Sequence, residues 1–274
     1  MNESRLPTLV WLAANDTTYT SLTIQVRPAI YDPNPGMNIT LNDGKRRTAS
    51  GATLSVVAND GPGAGRLDVS PGTQNKWYYF YLIPDPNNDN GLAAIASLRG
   101  PTHATPFPLN QPVCRYIGAA KMAAAAYQWN PFVQRGEWFQ IVNAADMGIF
   151  QTGILNTQVT NNWYNCGNFE TSDWVPTGVA QSLLIAGFVD SPASGAAYTS
   201  YYKTAVSSSA TGTAAEDDFF TECQRTTQAG RAVAIRELPV LGSYLWQAVT
   251  CSSFSTGPYV KAWIEGWRDK YLIP

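Results

Sequence analysis

The sequence predicts an all-β protein, an antiparallel β-sandwich or jelly-roll-like fold with at most one or two short helices. Three observations predict it. The run Trp77-Tyr78-Tyr79-Phe80-Tyr81-Leu82-Ile83 is aromatic or branched throughout and closes at Pro84. Read with period two, Trp77, Tyr79, Tyr81 and Ile83 share one face, and Tyr78, Phe80 and Leu82 share the other. Both faces are apolar, as in a central strand covered on both sides. Second, short apolar or alternating stretches recur between Gly, Pro, Asn and Asp clusters along the chain. Third, helix signals are confined to two places. Lys121 to Gln128 is Ala-rich, and Thr213-Ala214-Ala215-Glu216 fits a capping box ahead of a short helix over Glu216 to Arg225.

The elements follow in order. Residues 1–20 read as an N-terminal arm or first strand built on Leu9-Val10-Trp11-Leu12, and residues 21–274 as the β-sandwich domain, with a subdivision allowed near 142–160. Ser21 to Pro28 alternates polar and apolar, a half-buried strand with Leu22, Ile24 and Val26 inward. Asn38 to Leu41 with Asn42-Asp43-Gly44 predicts a strand and hairpin turn. Thr53 to Ala58 is a further short strand. Beyond the central strand, Pro84 to Gly91 predicts a long acidic-amide loop, and Leu92 to Leu98 the returning strand of a hairpin. Pro101 to Pro112 is an extended Pro-rich crossing, Arg115 to Gly118 a strand, and Trp129 to Ile141 two strands around Gln134-Arg135-Gly136-Glu137. Later strands are predicted over Gly148 to Leu155, Gln158 to Tyr164, Ala180 to Val189, Tyr198 to Ala205, Ala232 to Ile235, Tyr244 to Ser252 and Tyr259 to Ile264.

Composition narrows the function classes. The chain has 274 residues, 45% hydrophobic and only 14% charged, against roughly 25% charged in soluble domains. Low charge with many Trp and Tyr suits a surface partly covered by other subunits. Net charge is −2 without a dense Lys/Arg run, so nucleic acid is not an expected partner. No run of 18 apolar residues exists to span a membrane, and the first residues make no convincing signal peptide.

The chemistry-bearing residues form no catalytic pattern. His103 is the only histidine and sits in Gly100-Pro101-Thr102-His103-Ala104, which predicts a loop-surface residue rather than a triad base. Asp85, Asn87 and Asp89 start like a calcium loop, but Asn90 stands where Gly is needed and Ala96 where Glu is needed. A hairpin tip explains them better. Cys114, Cys166, Cys223 and Cys251 lie far apart, and buried free thiols are the expectation. No catalytic residue, cofactor or metal is predicted. Exposed aromatics remain as candidate contacts to a glycan or partner: Trp11, Trp129, Trp138, Trp163, Trp174 and Trp267.

One stretch carries a family resemblance. Gly65-Arg66-Leu67-Asp68, then Asn75-Lys76-Trp77-Tyr78-Tyr79-Phe80-Tyr81-Leu82-Ile83, leads to the Ala94-Ile95-Ala96-Ser97 strand and the Pro106 to Pro112 link. Arg115-Tyr116-Ile117-Gly118-Ala119 and Phe132-Val133-Gln134-Arg135-Gly136 follow. Their order and spacing resemble tailed-bacteriophage virion appendage proteins of the tail-fibre, head-fibre or capsid-decorating type, with Arg66 and Ser70-Pro71 as departures. The resemblance implies a non-enzymatic structural protein in the virion, assembled in the host cytoplasm. Its partners would be other virion proteins and copies of itself, a trimer being favoured. A glycan-binding module that contacts the host surface is the alternative.

Overall fold

The computed structural model describes residues 10–14, 21–26, 38–49, 53–58, 62–69, 72–105, 107–123, 129–130, 132–142, 150–152, 164–170, 174–176, 178–191, 199–207, 220–226, 230–240, 244–251 and 259–272. Among them the chain is all-β and mostly antiparallel, with no helix, consistent with a β-sandwich. It divides into two compact units: residues 1–142 with 269–274, and residues 143–268.

In the first unit β1 (Val10–Ala14), β2 (Ser21–Val26) and β5 (Thr53–Val57) form one antiparallel sheet in the order β1-β2-β5. The second contains β3 (Asn38–Thr40), β4 (Arg46–Thr48), β6 (Trp77–Asp85), β7 (Asn88–Ser97) and β8 (Arg115–Lys121), ordered β3-β4-β7-β6-β8. β9 (Phe132–Arg135) and β10 (Trp138–Ile141) pair as a hairpin whose turn residue Gly136 has φ 63°. β6 therefore runs between two neighbours, as its two apolar faces predict. Tyr78, Phe80 and Leu82 are buried on one face, and Tyr81 and Ile83 on the other.

Trp129 anchors the first of those faces. Its ring meets Tyr78 edge-on at 5.5 Å and Phe80 at 5.2 Å. On the opposite face Tyr81, Ile83, Ile95 and Cys114 pack together. The Tyr78 hydroxyl keeps a polar partner by accepting from the Thr73 N–H at 2.6 Å, so burying this phenol leaves no orphan oxygen.

Two expectations need correction here. The β6–β7 connection is a tight turn at Pro86-Asn87, not a long loop, because both strands extend into the polar residues and Asp85 pairs with Asn88. The Asp85 carboxylate accepts from the Asn87 N–H at 2.9 Å, the local bond that makes Asp a turn residue. Pro84 consequently lies inside β6 rather than after it. It is tolerated because β8 pairs with β6 only as far as Leu82, so the missing N–H falls where only β7 is a neighbour.

The second unit has two sheets. β13 (Ala180–Ser191) lies between β16 (Gly230–Pro239) and β18 (Tyr259–Asp269), and β11 (Phe150–Thr152) pairs with β18. β12 (Tyr164–Glu170), β17 (Tyr244–Cys251), β14 (Thr199–Ser207) and β15 (Phe220–Thr226) follow in the order β12-β17-β14-β15. The helix expected over Glu216 to Arg225 is not formed: Phe220–Thr226 is a strand, with Cys223 opposite Tyr202 and Glu222 opposite Lys203. Phe, Thr and Cys are weak helix formers, and seven residues of ladder outweigh one capping box. Of the strand expected over Gln158 to Tyr164 only Tyr164 is described, as the first residue of β12, and the Ala-rich segment after Ala123 lies outside the described residues.

Candidate assembly surface

The residues that carry the family resemblance turn out to be the ties of the first unit. Gly65, at φ 75°, donates its N–H to Ala94 O at 2.7 Å. The Asp68 N–H bonds Ala96 O at 2.8 Å, and the Ala96 N–H bonds Arg66 O at 3.1 Å. This short segment thus lies parallel to β7, with Leu67 opposite Ala96. Asp68 is buried, and its carboxylate accepts from the Leu109 N–H at 2.9 Å, pinning the Pro-rich crossing.

Gly118 and Gln134 form a second tie. The β6–β8 register shifts between Phe80 and Tyr81, so Ile117 is an extra residue on β8, a β-bulge. Gly118 takes φ 147°, and a Cβ there would stand 2.7 Å from the Phe139 ring. Gln134 is buried, and its Nε2 donates to the bulge carbonyl of Ile117 (3.2 Å) and to Gly136 O (3.0 Å). One amide holds both the bulge and the hairpin turn.

Asp269 is a fully buried carboxylate whose titration is perturbed. Its carboxylate accepts from the Tyr116 hydroxyl at 2.6 Å and the Tyr271 N–H at 2.9 Å. Burial pushes its pKa up to about 6, against an opposing pull from those two donors and Lys270. Tyr79, Tyr81 and Tyr271 surround Tyr116 at ring distances of 5.6–6.4 Å, and Tyr116 ionisation is pushed far up by burial and by Asp269. Both carboxylate oxygens hold structure, so the pair latches residues 269–272 onto β8. Sequence reasoning missed it, because 153 residues separate the partners and no local pattern links them.

The sequence-predicted contact residues fare unevenly. Trp129 and Trp267 are buried, not exposed; for these large rings core packing outweighs any surface role. Trp138 and Trp174 are partly buried. Trp11 lies in β1 and Trp163 precedes β12, but both side chains fall outside the described residues. His103 is exposed in its loop, where the Thr105 N–H donates to Nδ1 at 3.1 Å. Burial holds the Cys114 thiol up at about 11, so it is a packed core group and not a nucleophile. Among the described residues no three His, Cys, Asp or Glu gather as metal ligands.

Among the large apolar side chains that reach solvent are three, not singled out by sequence reasoning, that lie close in sequence to these ties. Val69 is 48% exposed, Leu98 42% and Phe107 38%. Val69 follows Leu67 by two residues and Leu98 follows Ala96 by two. The parallel Leu67–Ala96 bridge therefore sends both from the same end. Phe107 lies two residues before Leu109, which Asp68 holds at that same end. The available signal was the placing of large apolar residues inside turn-forming stretches, Asp68-Val69-Ser70-Pro71 and Pro106-Phe107-Pro108. No family model, curated protein or solved structure matches the chain.

Proposed function

We propose that this chain is a structural protein of a tailed-phage virion, borne on the capsid or tail surface and acting through assembly rather than catalysis. The observation that carries the reading is the apolar group Val69, Leu98 and Phe107, exposed on ties that belong to the resembling motif. Exposed large apolar side chains on neighbouring, mutually tied segments are a mark of a protein contact. They sit on backbone fixed by buried hydrogen bonds, and a preordered surface loses little entropy on docking. The partner is another virion protein, and copies of the chain assemble with it in the particle. The low charged fraction supports the same reading, because contact surfaces are depleted in charge at their centres. The glycan-binding alternative is weakened by losing the rings of Trp129 and Trp267 to the core.

The test replaces Val69, Leu98 and Phe107 together by Asp, Ser and Ser. All three are more than one-third exposed, so the fold should survive. Incorporation into purified particles should fall by roughly tenfold or more, the consequence of losing a few central contacts. Unchanged incorporation with an unchanged melting temperature would remove this patch from the contact.

A further inference from the structure

The start of β7 carries a dipeptide that packing requires and the ladder leaves open. Asp85 pairs with Asn88 and Pro84 with Leu92, so Asp89, Asn90 and Gly91 have no partner on β6. They form a bulge, where the β6 ladder does not hold the backbone. Gly91 meets Thr48 of β4 at a single parallel pairing. A Cβ on Gly91 would stand 2.9 Å from Asp85 Cβ and 3.0 Å from Asn88 O, so packing keeps glycine here. Asn90 beside it is exposed. Its N–H donates to Asn88 Oδ1 at 3.1 Å, and among the described residues nothing holds its side-chain amide.

Asn90-Gly91 is the only Asn-Gly pair in the chain. Glycine matters because a following side chain would hinder the main-chain nitrogen from reaching the asparagine amide carbon. The comparable described sites are held. Asn42 donates from Nδ2 to Pro112 O at 2.8 Å and accepts at Oδ1 from the Cys114 N–H at 3.0 Å. Asp43-Gly44 could react only through a neutral carboxyl, and the Arg47 guanidinium, bonded at 2.7 and 2.9 Å, keeps Asp43 ionised. The Gly44 N–H is also engaged, donating to Leu41 O at 3.0 Å. Asn88 accepts from the Asn90 N–H through Oδ1 and is followed by Asp89, not by glycine.

We propose that Asn90 is a site of self-modification, in which the Gly91 nitrogen attacks the Asn90 amide carbon and leaves an aspartate–isoaspartate mixture. A bond forms between Gly91 N and Asn90 Cγ, the Cγ–Nδ2 bond breaks, and ammonia departs with the Gly91 proton. Water then opens the cyclic imide. Opening at Cγ restores the ordinary backbone with an aspartate. Opening at the Asn90 main-chain carbonyl routes the chain through the side chain as isoaspartate. Each event exchanges NH for O and adds one negative charge to a turn that already holds Asp85 and Asp89. The extra main-chain atom of isoaspartate falls in the bulge, outside the β6 ladder, so the sheet keeps its register. The proposal does not rest on the virion reading, and either can fail alone.

Incubating the folded full chain and mapping its peptides by mass spectrometry tests it, with isoaspartate separated from aspartate by chromatography. The peptide containing Asn90 should convert before any other asparagine peptide, with isoaspartate among its products. Its rate should rise in proportion to hydroxide, because the attacking nitrogen must lose its proton. Asn42 should stay intact. The folded chain should react within about tenfold of the rate of the urea-unfolded chain, since a bulge outside the ladder opens at little cost. Asn90→Gln should remove isoaspartate from this peptide without changing the melting temperature, because the longer side chain closes the ring poorly. A folded chain slower than that margin, earlier loss of another asparagine, or aspartate without isoaspartate would each overturn the proposal.

Discussion

Gly118 answers to two constraints at once. Its φ of 147° is one that side-chain-bearing residues rarely adopt, and the Phe139 ring occupies the place of a Cβ. Gly118→Ala should therefore destabilise the protein by about 2 kcal/mol or more, measured by denaturant unfolding; a loss within experimental error would show that the bulge relaxes freely. Asp269 offers a pH test with a definite sign. Its folded pKa of about 6 lies above the ordinary 3.8, so its stabilising contribution is complete below about 4 and is lost as pH rises through 6. Between pH 7.5 and pH 4 the wild type should gain on the order of 2–3 kcal/mol relative to Asp269→Asn. Parallel pH profiles of the two proteins would contradict the assignment. Asp43 has the opposite sign. The Arg47 guanidinium, bonded to it at 2.7 and 2.9 Å, holds it down at about 2, so that contribution is present above about 4 and is lost as pH falls through 2. The two windows meet near pH 4 and barely overlap.

At the scale of the element, β6 shows what a sequence can reveal by itself. Its unbroken apolar run needs two covers, and a strand with a neighbour on each side and core on both faces supplies them. Replacing Trp129 by Ala would empty the space between Tyr78 and Phe80, and should cost about 3–5 kcal/mol in equilibrium unfolding. A cost below about 1 kcal/mol would mean that the site collapses around the smaller residue. Most strand positions were legible because alternation and turn residues are local signals. The β3–β4 turn at Asn42-Asp43-Gly44 is one such case, with Gly44 at φ 76°. Pairing order was not legible. Nothing near Thr48 announces that it lies parallel to Gly91, and the Asn42 side chain reaches Pro112 O and the Cys114 N–H some 70 residues away. Phe220–Thr226 failed for the converse reason: its local cap signal was real, but a long-range ladder with β14 decided the outcome.

For the whole molecule, the motif that suggested a family proved to be a set of internal ties. Asp68, Gly118 and Gln134 spend their polar atoms on backbone carbonyls and N–H groups or give up a side chain to packing. They fix a surface without forming it, which is why the exposed group of Val69, Leu98 and Phe107 could not be read from the pattern. The central claim is that this surface is covered in an assembled particle. The most direct measurement is a reconstruction of particles purified from cells that make the chain, with its presence checked by mass spectrometry. The account predicts the chain on the capsid or tail exterior, with Val69, Leu98 and Phe107 against a neighbouring virion protein. Particles that lack the chain, or that carry it with those three side chains open to solvent, would contradict it.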